Sequence, residues 1–194
     1  MMRAYTWVAA AAALFIAAAP ASAESVDAST FSCKDLTSSY TSSSEEEQYG
    51  ATVILYWMAG YHATAEQGTV VDFDKMLAAF EETVDFCKKN PNIGVMSASE
   101  KFLGENLGET STTAIDLSIM KCDAINSSTE KDAQGLGQIL MWLSGYHSSY
   151  DETTIIDYEQ FDTSTDKMGE FCRANGEMGF MTASKKFMGT TSTE

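Results

Sequence analysis

One stretch of this chain is written twice. Ile54-Leu55-Tyr56-Trp57-Met58-Ala59-Gly60-Tyr61-His62 returns as Ile139-Leu140-Met141-Trp142-Leu143-Ser144-Gly145-Tyr146-His147, and Phe86-Cys87 returns as Phe171-Cys172. Met96-Ser97-Ala98-Ser99-Glu100-Lys101-Phe102-Leu103-Gly104 returns as Met181-Thr182-Ala183-Ser184-Lys185-Lys186-Phe187-Met188-Gly189. Every one of these pairs is 85 positions apart, with no gap. A constant register over that length means one structural unit present in two copies. Upstream the spacing becomes 89, where Val26-Asp27-Ala28-Ser29 before Cys33 matches Ile115-Asp116-Leu117-Ser118 before Cys122. The first copy therefore holds four extra residues, assigned to its Ser/Thr-rich stretch from Thr37 to Ser44.

The cysteines follow the repeat. Cys33 and Cys122 come early in their copies, Cys87 and Cys172 late. Four cysteines can pair in three ways, and the repeat nominates Cys33 with Cys87 and Cys122 with Cys172. Zinc is the competing use, but no two of the four have the C-x-x-C spacing of structural sites. By the chain-entropy relation, each closure would stabilise its domain by about 4 kcal/mol, which matters in domains of this size.

Met1 to Ala23 has the pattern of a secretory signal peptide. Arg3 is the basic start, Trp7 to Ala19 is apolar, and Ala21-Ser22-Ala23 fits small-x-small cleavage after Ala23. The apolar run is shorter than the roughly 20 residues of a spanning helix. The expected organisation is a signal peptide over 1–23, a first repeat over 24–104, a linker over 105–114, a second repeat over 115–189 and a tail over 190–194. The expected address is the periplasm, with no membrane span in the mature chain.

Twelve Lys and Arg face 28 Asp and Glu, a formal net charge of −16. Losing Arg3 with the signal would leave eleven bases and a charge near −17. That balance excludes a cationic groove for nucleic acid, because phosphate binding needs clustered Lys and Arg.

Few prolines and no alternating Val/Ile/Thr runs point to helices. The spacing predicts a long helix from about Glu45 to Ala65 and its counterpart from about Thr129 to Tyr150. A second helix is capped by Asp72 in one copy and Asp157 in the other, and in the first it is stopped by Asn90-Pro91. Shorter helices follow over Ile93 to Leu103 and Met178 to Met188, with a helical turn at Cys33 to Leu36. The fold class expected is all-α: two tandem, small, disulfide-closed helical bundles.

The duplicated Trp-x-x-Gly-Tyr-His (Trp57, Gly60, Tyr61, His62; Trp142, Gly145, Tyr146, His147) is the most specific local motif. Its residue types suit a packed core, with glycine relieving crowding where helices meet. Its histidines are also candidate pH switches. His62 with Glu66, or His147 with Asp151, has the i, i+4 spacing of a metal pair, but nothing else in sequence converges there. Asp72-x-Asp74 and Asp157-x-Glu159 lack a glycine-containing ligand loop with a distal Glu and read as helix caps. No nucleophile elbow or H-E-x-x-H occurs. No catalytic residue, metal or cofactor is implied, and the chain is not read as an enzyme.

The assembled pattern is an Asp-x-Ser lead-in, an early Cys, Trp-x-x-Gly-Tyr, Val/Ile-Asp, Phe-Cys, Asn-Pro and an Ala-containing last helix. It resembles the periplasmic HdeA/HdeB acid-stress chaperone family over both copies. The resemblance implies a helical domain with one disulfide between its first and a later helix. It also implies ATP-independent holdase activity, in which acid loosens the protein and exposes apolar surface to unfolded or acid-denatured periplasmic proteins. Its best-studied members are single domains that pair as homodimers, so two copies in one chain suggest an intramolecular pseudo-dimer. The alternative reading is a periplasmic binding or immunity protein that recognises a specific protein partner.

Overall fold

Each helix begins where the sequence places an oxygen to receive its first amides. Ser32 and Asp35 form a capping box that opens α1 (Cys33–Tyr40), and Ser44 caps α2 (Glu45–Tyr61) behind Glu45, Glu46 and Glu47. Asp72 Oδ1 accepts from Lys75 N at 3.2 Å to start α3 (Phe73–Lys89), which ends with Lys88 and Lys89 in its last turn. α4 (Val95–Leu103) closes the first copy. The second copy repeats the series as α5 (Asp123–Asn126), α6 (Ala133–Tyr150), α7 (Tyr158–Ala174) and α8 (Phe180–Met188). Asp157 Oδ1 caps α7 through Gln160 N at 2.8 Å. This computed structural model describes residues 25–63, 68–104, 114–126 and 133–189. The signal-peptide assignment, most of the 105–114 linker, Glu66 and the 190–194 tail lie outside the described residues.

Two tandem helical bundles, each closed by a disulfide, make up the fold. Cys33–Cys87 ties α1 to α3 across 54 residues of sequence, and Cys122–Cys172 ties the start of the second copy to α7 across 50. Beside each bridge, the lead-in to the early cysteine is hydrogen-bonded to the segment entering the last helix. Cys33 N donates to Ile93 O (2.8 Å) and Val95 N to Phe31 O (2.9 Å); Cys122 N donates to Met178 O (2.9 Å) and Phe180 N to Met120 O (2.8 Å). The four extra residues of the first copy go with a longer first helix: α1 spans eight residues, α5 four.

The long helices α2 and α6 pack on each other and make one continuous core from both copies. Ile54, Leu55, Trp57 and Met58 from α2 meet Ile139, Trp142 and Leu143 from α6, all buried. α2 is shorter than the pattern suggested, because His62 caps it.

The helical reading omitted four short strands that join the copies reciprocally. β1 (Ser25–Asp27), leading the first copy, pairs antiparallel with β4 (Ile155–Asp157), between α6 and α7 of the second. β3 (Ile115–Asp116), leading the second copy, pairs antiparallel with β2 (Val70–Val71), between α2 and α3 of the first. Each copy thus lends its leading strand to the other. Among the described residues no helix is long and apolar enough to cross a membrane.

A chain-entropy contribution of about 4 kcal/mol is expected from each bridge. Replacing Cys122 and Cys172 by Ser should lower unfolding free energy by about that amount, measured by urea denaturation at neutral pH. A loss near zero would show that the closed loop adds nothing.

Candidate functional site

The duplicated motif lies where α2 crosses α6, and glycine is what lets them cross so closely. A Cβ at Gly60 would collide with the Trp142 carbonyl oxygen and approach Tyr146 N. A Cβ at Gly145 would collide with the Trp57 carbonyl oxygen and approach Tyr61 N. These obstacles are backbone atoms, which cannot turn aside as a flexible side chain can. The two contacts mirror each other, as expected of two copies related by a local two-fold axis.

Aromatic rings flank the crossing. Trp57 stacks on Tyr61 with centroids 5.1 Å apart, and Trp142 stacks on Tyr146 at 5.2 Å. Both indoles are fully buried, and neither Nε1 has an acceptor among the described residues.

Next to the aromatics, each histidine reaches from its long helix to the last helix of its own copy. His62 Nε2 lies 2.9 Å from Ser99 Oγ on α4, and His147 Nε2 lies 3.0 Å from Ser184 Oγ on α8. Ser99 Oγ donates to Met96 O (2.9 Å) and Ser184 Oγ to Met181 O (3.0 Å). Each hydroxyl hydrogen is thereby committed, so the histidine acts as the donor through Nε2–H. Burial disfavours the imidazolium and pushes both histidines down, His147 to about 4. Glu100 opposes the shift at His62; at His147 Asp151 opposes it and Lys185 adds to it.

A second set of titratable contacts joins the copies at the two small sheets. Asp27 Oδ1 accepts from Ser29 N and Oγ of its own copy and from Thr154 Oγ1 of the other, the last at 2.8 Å. Asp116 Oδ1 accepts from Ser118 N and Oγ and, at 3.3 Å, from Thr69 Oγ1 of the first copy. The hydroxyls of Ser29 and Ser118 are the largest of the contacts that hold these carboxyls below the ordinary aspartate range. Sequence reading took the Asp-x-Ser pair as a lead-in to the cysteine; its threonine partners are about 130 and 50 positions away and send no periodic signal.

The structure brings Trp57, Gly60, Tyr61 and His62 together with Trp142, Gly145, Tyr146 and His147 at one crossing. The cysteines are not part of that crossing; the bridges tie the lead-in of each copy to α3 and to α7. Among the described residues no three His, Cys, Asp or Glu converge on a candidate metal position.

With this geometry in view, the comparison with known families is direct. The chain matches the HdeA/HdeB family over residues 3–97 and again over 99–182, one match for each copy. It belongs to that family, as a tandem duplication of its domain. No curated protein and no solved structure matches the chain.

Two outcomes test the crossing. Gly60→Ala or Gly145→Ala should cost about 3 kcal/mol and flatten the near-ultraviolet signal of the stacked Trp and Tyr. The buried His147 sets a pH dependence whose sign is fixed. The unfolded chain takes up the proton near 6.5 and the folded chain only near 4. Its stabilising contribution is therefore whole above 6.5 and is lost as pH falls to about 4, by about 3 kcal/mol in all. Urea midpoints measured across that interval should fall, and a flat profile would contradict the burial.

Proposed function

We propose that this chain is a periplasmic, ATP-independent holdase that acid opens by parting its own two copies. Membership of the HdeA/HdeB family, whose characterised activity is acid-stress chaperoning, supports the class. The signal-like pattern of residues 1–23 supports export through a cleaved signal peptide. The clients are unfolding or acid-denatured periplasmic proteins, and no step calls for a nucleotide, a metal or a catalytic residue.

The observation that carries this reading is the reciprocal pair of aspartate contacts across the copies. A carboxylate whose pKa is lowered on folding stabilises the fold above its ordinary value, 3.8 for aspartate, and loses that effect as pH falls through the folded value. Most of that effect comes from Ser29 and Ser118 within each copy, but Thr154 at Asp27 and, more weakly, Thr69 at Asp116 donate from the other copy, so protonation weakens the ties between the copies. The whole molecule pushes the same way. With every carboxyl protonated, the 11 Lys and Arg left after Arg3 is removed, with 2 His, turn a charge near −17 into +13, and the copies repel. What parts is the apolar seam of Trp57, Met58, Trp142 and Leu143, the kind of surface an unfolded client binds. The disulfides keep each copy partly ordered meanwhile.

The deciding measurement follows light scattering of a periplasmic client at pH 2–3, with and without an excess of the oxidised protein. Suppression is expected there and not at pH 7; no suppression at excess overturns the reading. The double variant Asp27→Asn, Asp116→Asn, which copies the protonated state, should move the onset of hydrophobic-dye binding toward neutral pH.

A further inference from the structure

The two copies share one backbone plan and differ in what fills it. Where the first copy packs Phe80 and Val84 on α3, the second has Thr165 and Gly169 on α7. Phe80 and Val84 are fully buried, and Phe80 meets Tyr56 of α2 edge-on at 5.0 Å. Thr165 and Gly169 are half-buried, and Met141 stands in place of Tyr56. The lost volume is not returned by a neighbour. Among the described residues, a Cβ at Gly169 would meet the Arg173 side chain at 3.8 Å and nothing nearer. Gly137 of α6, which aligns with Thr52, has nothing within 4 Å of its Cβ position. Neither glycine serves a close approach, and each weakens its helix relative to alanine.

We propose that the copies have diverged into a rigid half and a yielding half: the second copy loosens first in acid, and its methionines become the surface that holds apolar segments of an unfolded client. The order of loosening stands on packing; the client rests on the holdase reading above.

The lead-in helices differ in the same direction. α1 spans eight residues, buries Cys33 and Leu36, and packs against both α2 and α3. α5 spans four and buries none of them, and Ile125, which aligns with Leu36, is half-buried. Leu55, sealed in α2, corresponds to the half-buried Leu140 of α6. Local opening starts where the fewest apolar contacts hold the chain. Acid that takes stability from both copies therefore releases the second one first.

Methionine replaces stiffer residues in that same half. The first copy has Met58, Met76 and Met96, and the second has Met120, Met141, Met168, Met178, Met181 and Met188. Four of these six stand where the first copy has Phe31, Tyr56, Ile93 and Leu103. An unbranched, polarizable thioether adapts to apolar partners of varied shape, and an unfolded client offers such partners.

Methionines buried in the closed protein report each half separately. Met76 on α3 reads the first copy, Met141 and Met168 on α6 and α7 read the second, and Met58 reads the seam. The full oxidised protein is exposed to dilute hydrogen peroxide in a pH series from 7 down to 2, and sulfoxide is located by peptide mass spectrometry. Met141 and Met168 should become reactive first, about fivefold or more ahead of Met76 where loosening begins. Gly137→Ala and Gly169→Ala should each slow Met168 by about fivefold, the worth of one helix glycine, and leave Met76 unchanged. Reduced, carboxymethylated α-lactalbumin, a permanently unfolded chain, should shield Met141 and Met168 and not Met76. Met76 keeping pace with Met168, or alanine variants that do not slow Met168, would overturn the order. Shielding confined to Met58 would overturn the surface. Early oxidation of Met141 and Met168 without aggregation suppression would sink the holdase reading and leave the order standing. Suppression with Met76 leading would sink this proposal alone.

Discussion

Backbone resting on backbone at Gly60 and Gly145 is the contact from which the rest of this molecule follows. With the chains so close, the Trp57 and Trp142 carbonyls face glycine across the crossing, and no side chain larger than hydrogen fits between. The approach presses the two indoles into one core and aligns the aromatic and histidine residues that follow on each helix. It also puts the leading strand of each copy within reach of the other. Neither copy could form this crossing alone, because each supplies the glycine that accommodates the other's backbone.

Around that apolar seam the polar groups are arranged by depth. The aspartates sit at the rim, in the small sheets, where water reaches them and hydroxyl donors favour their charge. The histidines sit deeper, where desolvation favours their neutral form. Falling pH therefore acts on the two sets in different ranges, first on the imidazoles and then on the carboxylates. At the aspartates it weakens hydrogen bonds that reach the other copy, and at the histidines it places a charge where burial disfavours one.

The repeat, the helix caps and the closing of each bundle by its own cysteines were legible because each is local or periodic. Asp72 and Asp157 announce their helices by chemistry that acts within three residues. The strands were not legible. Val70-Val71 and Ile115-Asp116 are too short to alternate, and each pairs with a segment of the other copy. The role of Ser99 and Ser184 was hidden for the same reason: both stood inside the aligned repeat, 37 residues from their histidines. The glycines were read as relieving crowding between helices, but sequence alone left unsaid that the second helix belongs to the other copy.

Writing the partner into the same chain changes the kinetics of closing. Two separate subunits that part in acid must find each other again by diffusion, at a rate that falls with dilution. Here the returning surface is tethered, so reclosure is first order and its rate does not depend on how much protein is present. Neutralisation would reset each molecule on its own, even when scarce or surrounded by other chains competing for the same exposed seam.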